Sequence, residues 1–119
     1  MKKEDLVLVV DDDEMVRRLV RTVLEADDYK VVDARSGDEA LELLETTTVK
    51  VVVLDVMMPG LDGVEVCRKI DHDSVKVVML TARDDPVLEQ ACRDAGADAF
   101  LTKPFSSIRL LDVIEEVGA

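Results

Sequence analysis

The stretch VVVLDVMMPGLDG, residues 51–63, runs an apolar segment straight into one carboxylate, Asp55. A Pro-Gly turn follows, then a second acid and a glycine. An ionised carboxylate buried without a partner is far more costly than a buried neutral polar group. An aspartate at the apolar end of a strand therefore faces solvent, caps the next helix, or takes part in chemistry. The rest of the chain decides among the three.

Working outward, apolar runs alternate with amphipathic stretches. LVLVV (6–10) reads as a buried strand. EMVRRLVRTVLEAD (14–27) follows as a helix with Val16, Leu19, Val20, Val23 and Leu24 on one face. YKVVDA (29–34) is strand again, and Ser36 with Glu39 has the capping-box spacing that opens a helix through Leu44. VKVVVLD (49–55) is the central strand, followed by a helix from about Gly63 to Ile70 and the strand VKVVML (75–80). Asp85-Pro86 pairs an N-cap with proline in the first turn, and Gly96 stops that helix. ADAFLT (97–102) is the last strand, and Ser106 or Ser107 starts a final helix carrying Leu110, Leu111, Ile114 and Val117. These strand–helix units, without a Gly/Ser/Pro-rich linker, a low-complexity tract or a repeat, predict one domain over residues 1–119. Continuous Val/Leu strands call for a parallel sheet covered on both faces, a three-layer α/β sandwich.

The bulk composition narrows the function. A formal net charge of −12 over 119 residues argues against direct nucleic-acid binding, which depends on clustered Lys and Arg neutralising phosphates. No apolar run approaches the length of a membrane span, and no basic segment leads into an apolar one as in a secretion signal, so a cytoplasmic location is expected. Cys67 and Cys92 have no metal-ligand spacing and lie within helical patterns; they read as buried small hydrophobes rather than a disulfide.

In parallel α/β sheets ligands bind beyond the carboxyl ends of the strands. Those ends carry Asp11 and Asp12 after the first strand, Asp55 on the third, Thr81 after the fourth and Lys103 after the fifth. Taken singly, Asp11 to Asp13 are also candidates for capping the first helix, Thr81 for satisfying a turn, and Lys103 for a solvated amine. Jointly they make chemical sense. Clustered carboxylates repel one another, and an oxygen-seeking divalent cation relieves the repulsion. With few protein ligands plus water, Mg²⁺ fits better than an all-protein calcium cage. A carboxylate beside Mg²⁺ can attack a phosphoryl group, while the Lys103 ammonium and Thr81 hydroxyl meet the phosphoryl oxygens. On this reading Asp55 ends a rigid strand because a nucleophile must be held in line with its donor.

The chain resembles the receiver domain of two-component response regulators, from LVLVVDDDEMVRRLV through VVVLDVMMPGLDG and VVMLTARDD to GADAFLTKPF. The resemblance implies a flavodoxin-like fold with five parallel strands in order 2-1-3-4-5 and five helices. It implies Asp55 as phosphoacceptor, Asp12 as a direct Mg²⁺ ligand, Asp11 as a ligand largely through water, and the Met57 main-chain carbonyl completing the protein ligands. Thr81 matches the switch hydroxyl, Lys103 the phosphoryl-contacting amine, and Phe100 the aromatic switch position. That position is often tyrosine; phenylalanine leaves ring packing without a phenolic hydrogen bond. The phosphoryl donor is then a separate histidine kinase or histidine phosphotransfer protein, the downstream effector is unnamed by the sequence, and the chain catalyses only its own phosphorylation and dephosphorylation.

A strand-end aspartate, Mg²⁺, Thr and Lys also occur in haloacid-dehalogenase phosphatases, which carry a second aspartate two positions after the nucleophile. Here that position is Met57, which cannot handle a proton, and no cap domain fits the length. His72, the only histidine, lies in the loop sequence DHDS and reads as a surface residue rather than a phosphodonor. Arg17, Arg18 and Arg21 share the first helix and read either as a partner-docking face or as a solvated face. No effector domain follows Ala119, which suggests a stand-alone receiver or an excised module. Winged-helix relatives pair through basic residues on the last helix, where this chain has Glu115, Glu116 and only Arg109; a monomer or weak dimer is expected.

Overall fold

The computed structural model describes residues 4–58, 60 and 62–119. Strands β1 (Leu6–Val10), β2 (Lys30–Ala34), β3 (Val51–Asp55), β4 (Lys76–Thr81) and β5 (Ala99–Thr102) alternate with helices α1 (Glu14–Ala26), α2 (Gly37–Thr46), α3 (Gly63–Lys69), α4 (Pro86–Asp94) and α5 (Ser107–Gly118). The strands form one parallel sheet in the order β2-β1-β3-β4-β5, as expected for a flavodoxin-like sandwich.

The alternation of side chains along each strand divides the core in two. Leu8, Val10, Val52, Leu54, Val77 and Met79 pack with Ala40, Val66, Cys67 and Cys92 of α2, α3 and α4. Val7, Val9, Val51, Val53, Val78 and Leu80 pack with Val20 and Leu24 of α1 and Leu110, Val113 and Ile114 of α5. Every residue of β3 is buried, so the continuous apolar run reflects helices on both faces. Both cysteines are free and buried in the first of these clusters.

Local chemistry sets the helix starts. The side chains of Asp13, Ser36, Asp62, Asp85 and Ser106 each accept from backbone amides in the first turn of their helix. Ser106, rather than Ser107, is therefore the cap of α5. Gly60 adopts φ +77°, the left-handed region that the Pro-Gly sequence anticipates.

Four expectations are corrected. Four strands start later than their apolar runs: Tyr29 is tied by its amide to Leu24 O, Val75 by its amide to Asp71 O and Ala97 by its amide to Cys92 O, while Val49 precedes β3. Helix α2 runs on to Thr46, two residues beyond Leu44. The buried row of α1 is Arg17, Val20 and Leu24, and Leu19 faces solvent because the apolar stripe is rotated toward Arg17. His72 is half-buried rather than a surface residue: its ring lies over Gly96, and its Nε2 is 2.6 Å from the Cys67 carbonyl oxygen. A carbonyl only accepts, so Nε2 carries the proton and donates.

Gly63 lets the first turn of α3 lie on the end of β3. A Cβ there would collide with the main-chain oxygen of Asp55 and lie 2.7 Å from Val56 Cα. Glycine to alanine at a helical position is ordinarily stabilising by about 0.5–1 kcal/mol. Gly63→Ala is expected instead to destabilise by about 1–3 kcal/mol, the scale of overpacking against backbone that cannot retreat, which a urea melt reads directly.

Candidate phosphoacceptor and metal site

The carboxyl edge of the sheet gathers the acids. Asp11 follows β1, Asp55 ends β3, and both are buried; Asp12, next along the loop into α1, is exposed. One carboxylate oxygen from each of the three lies within 4.8 Å of the others. Asp13 accepts from the Met15 amide and is the helix cap, so Asp11 and Asp12 are not needed for that role.

Lys103, the residue directly after Thr102 in its sheet pairing with Thr81, supplies the counter-charge. Its Nζ is 3.1 Å from Asp11 Oδ2 and 3.6 Å from Asp55 Oδ1. Its own amide donates to the Thr81 carbonyl at 2.7 Å, which anchors the lysine to the end of β4. Asp11 is further held by the Asp13 amide on Oδ1 at 2.9 Å, and Asp55 Oδ1 accepts from the Met57 amide at 3.3 Å.

Thr81 is fully buried at the end of β4, one residue beyond the Asp55–Leu80 register pair. Its Oγ1 accepts from the Arg83 amide at 3.1 Å. Phe100, on β5 opposite Met79, is half-buried and packs against the α2–α4 side of the core. Met57 lies two residues beyond the end of β3 and is 57% exposed, so the chain at this point is open to solvent beside the acids.

Burial, first, and the charge of Asp11, second, raise the Asp55 carboxyl to about 6, with Asp12 adding a smaller push. Lys103 and the Met57 amide pull in the other direction without cancelling these effects. The donor set fits Mg²⁺ rather than a soft metal: all three side chains offer hard oxygen, and the Lys103 ammonium beside two of them shows that the cluster accommodates positive charge.

Sequence reasoning therefore named Asp11, Asp12, Asp55 and Lys103, which the fold brings together, and Thr81, which ends the adjoining strand. It missed Arg17. The residue is only 8% exposed, and its Nη1 donates to the Asp11 carbonyl oxygen at 2.8 Å. Its Nε lies 3.5 Å from Asp33 Oδ2, so Arg17 belongs to the interior and only Arg18 and Arg21 remain on the outer side of α1. The available signal was its spacing: positions 17, 20 and 24 form one helical row.

A family model described as the response regulator receiver domain matches residues 7–115. The chain belongs to this family. The receiver domain is 48% identical over 107 residues to the response regulator MprA of Mycolicibacterium vanbaalenii, covering 88% of this chain and 46% of that protein. It is 40% identical over 104 residues to the transcriptional regulatory protein ResD of Bacillus subtilis, covering 87% of this chain and 43% of that one. It thus spans about half the length of the curated relatives it matches. Among solved structures, the receiver domain is similar to the chemotaxis protein CheY4 of Vibrio cholerae, with a TM-score of 0.91, 31% identity, and 96% and 98% of the two chains covered. It also resembles a CheY-like receiver domain protein of Methanospirillum hungatei, with a TM-score of 0.88, 28% identity, and 95% and 92% covered. Receiver domains are signalling modules of two-component systems, and among the described residues no helix is long and apolar enough to cross a membrane.

Because the folded chain holds the Asp55 proton more tightly than the unfolded chain, the ionised carboxylate costs stability above a pH of about 6. The cost is relieved as pH falls from about 6 through the ordinary carboxylate value of 3.8. In the absence of divalent metal, Asp55→Asn is expected to raise stability at pH 7.5 by about 3 kcal/mol, the scale of a shift of roughly two pKa units. The gap should close below pH 4. Equal stability of the two proteins across this range in chemical melts would contradict the strain assigned to Asp55.

Proposed function

We propose that Asp55 accepts a phosphoryl group from the phosphohistidine of a histidine kinase or histidine phosphotransfer protein, in a reaction that requires Mg²⁺. The observation that carries this reading is the convergence of the Asp11, Asp12 and Asp55 carboxylates within 4.8 Å beside a lysine ammonium. The side chains of Asp11, Asp12 and Asp55 and the Met57 carbonyl would hold the metal, Asp12 directly and Asp11 largely through water. Bound there, Mg²⁺ supplies charge neutralisation for the acids and the incoming phosphoryl oxygens.

The remaining work falls to this chain. An Asp55 carboxylate oxygen attacks phosphorus, the O–P bond forms, and the N–P bond to the donor imidazole breaks. Burial at the end of β3 fixes the approach direction, so the entropy cost of alignment is met by the fold. Lys103, already placed between Asp11 and Asp55, offsets charge on the phosphoryl group. The Thr81 hydroxyl, which in this structure accepts from the Arg83 amide, turns its proton to a phosphoryl oxygen. Phe100 follows through ring packing, coupling the site to the face formed by α4, β5 and α5. Residues 1–119 act as one receiver unit in the cytoplasm, an effector reads that face, and nucleic-acid contact, where the output requires it, belongs to another domain or protein. The outward residues of the last helix, Glu115 and Glu116, disfavour a charge-paired dimer through α5, so the activated unit is a monomer or weak dimer.

Acetyl phosphate with Mg²⁺ is expected to add one base-labile phosphoryl group to the parent protein and none to Asp55→Asn, read by intact-protein mass spectrometry. With beryllofluoride, amide resonances from Phe100 to Glu116 should move and sedimentation should show no tight dimer through α5. Undiminished labelling of the Asn variant overturns the phosphoacceptor, and shifts confined to the pocket overturn the switch.

A further inference from the structure

We infer that Arg17 is a positioning residue for the metal-binding pair, acting through the peptide bond that joins Asp11 to Asp12. The inference rests on the reading of those two acids as Mg²⁺ ligands.

The Asp11 carbonyl and the Asp12 amide belong to one planar unit, so the direction of that carbonyl sets where the chain carries Asp12. Both sides of Asp11 are tied down. Its amide donates to Ala34 O at 3.2 Å, and its carbonyl oxygen accepts from Arg17 Nη1 at 2.8 Å. Its carboxylate is held by the Asp13 amide and Lys103. Asp12 has no such support: it is exposed, and its carboxylate makes no hydrogen bond or ion pair among the described residues. What places Asp12 is therefore its backbone, and Arg17 is the side chain that grips that backbone.

Arginine suits the task because its planar fork serves two acceptors at once. Nη1 takes the carbonyl while Nε stands 3.5 Å from Asp33 Oδ2 on β2, the strand residue preceding Ala34. Asp33 also receives Arg21 Nη1 at 3.2 Å, and Arg21 Nε pairs with Glu25 at 3.2 Å. Arg21 therefore shares the carboxylate of this network but never touches Asp11, which makes it an internal control. Lysine at position 17 would keep the charge and the helix but, as a single point donor, would not span both acceptors.

Mg²⁺ titrations of the metal-free parent, Arg17→Lys and Arg21→Lys, followed by amide NMR, test the inference. Outer partners of metal ligands typically contribute about 10–100-fold to metal affinity. Arg17→Lys is expected to weaken Mg²⁺ binding about tenfold, to shift the amides of residues 11–13 before metal is added, and to recover parental phosphorylation by acetyl phosphate at saturating Mg²⁺. Arg21→Lys should match the parent. If Arg17→Lys does not fold, Asp33→Asn, which removes the anchor of the guanidinium but leaves Arg17 in place, should weaken Mg²⁺ binding to a smaller extent. Parental Mg²⁺ affinity in the position-17 variant (or in Asp33→Asn where that stands in), even with a lowered melting temperature, makes Arg17 merely structural and overturns the inference. So does equal weakening in Arg21→Lys. A parent that binds no Mg²⁺ fails before any substitution is compared, and identifies the metal-site reading itself as the error.

Discussion

The mutual repulsion of Asp11, Asp12 and Asp55, gathered at the edge of a buried parallel sheet, governs the organisation of this receiver domain. Three carboxylate oxygens within 4.8 Å of one another do not stay together without opposing forces. The ammonium of Lys103 offsets part of the repulsion, but it leaves Asp55 raised to about 6. The sheet supplies the remainder. Fully burying one Val or Leu contributes about 1.5–3 kcal/mol, so the apolar residues of β1, β3 and β4 outweigh a cost of a few kcal/mol at one edge. The same stress would make the site responsive, because a divalent cation or a phosphoryl group bound there would change the balance of charge where the structure is already under load.

On the proposed reading, rigidity gives the chemistry at this edge its direction. Asp55 ends a strand buried on both faces, Gly63 lets α3 close against that strand's final carbonyl, and Thr81 and Lys103 are joined by a backbone hydrogen bond at 2.7 Å. Each reactive group is thus held by main-chain structure rather than by a flexible side chain alone. Asp12 is the exception, and Arg17 supplies through the Asp11 carbonyl the constraint that Asp12 lacks.

Much of this was legible in the residue pattern. Continuous Val/Leu runs marked the strands, Ser36 and Asp85-Pro86 marked helix starts, and acids at strand ends marked the edge where three carboxylates converge. What escaped is tertiary in origin. Arg17 reads as a polar helix residue until Asp33 and a main-chain carbonyl are seen to enclose it. His72 reads as a loop residue until Gly96 is seen to leave room for its ring. Tyr29, Val49, Val75 and Ala97 look like strand because they are apolar, yet they lie outside the strand limits. The Lys103–Asp11 contact joins residues 92 positions apart, a proximity that no local period encodes.

The central claim is that the clustered acids strain the metal-free fold and that Mg²⁺ relieves the strain by binding Asp12 directly. Thermal melts of the parent and Asp12→Ala, each with and without Mg²⁺, test it most directly. Mg²⁺ binding to the folded state should raise the parent's melting temperature in a concentration-dependent way. Asp12→Ala should be at least as stable as the parent without metal, by up to about 1 kcal/mol, and should lose most of the Mg²⁺ response. A variant that is strongly destabilised yet keeps the full Mg²⁺ response would contradict the account.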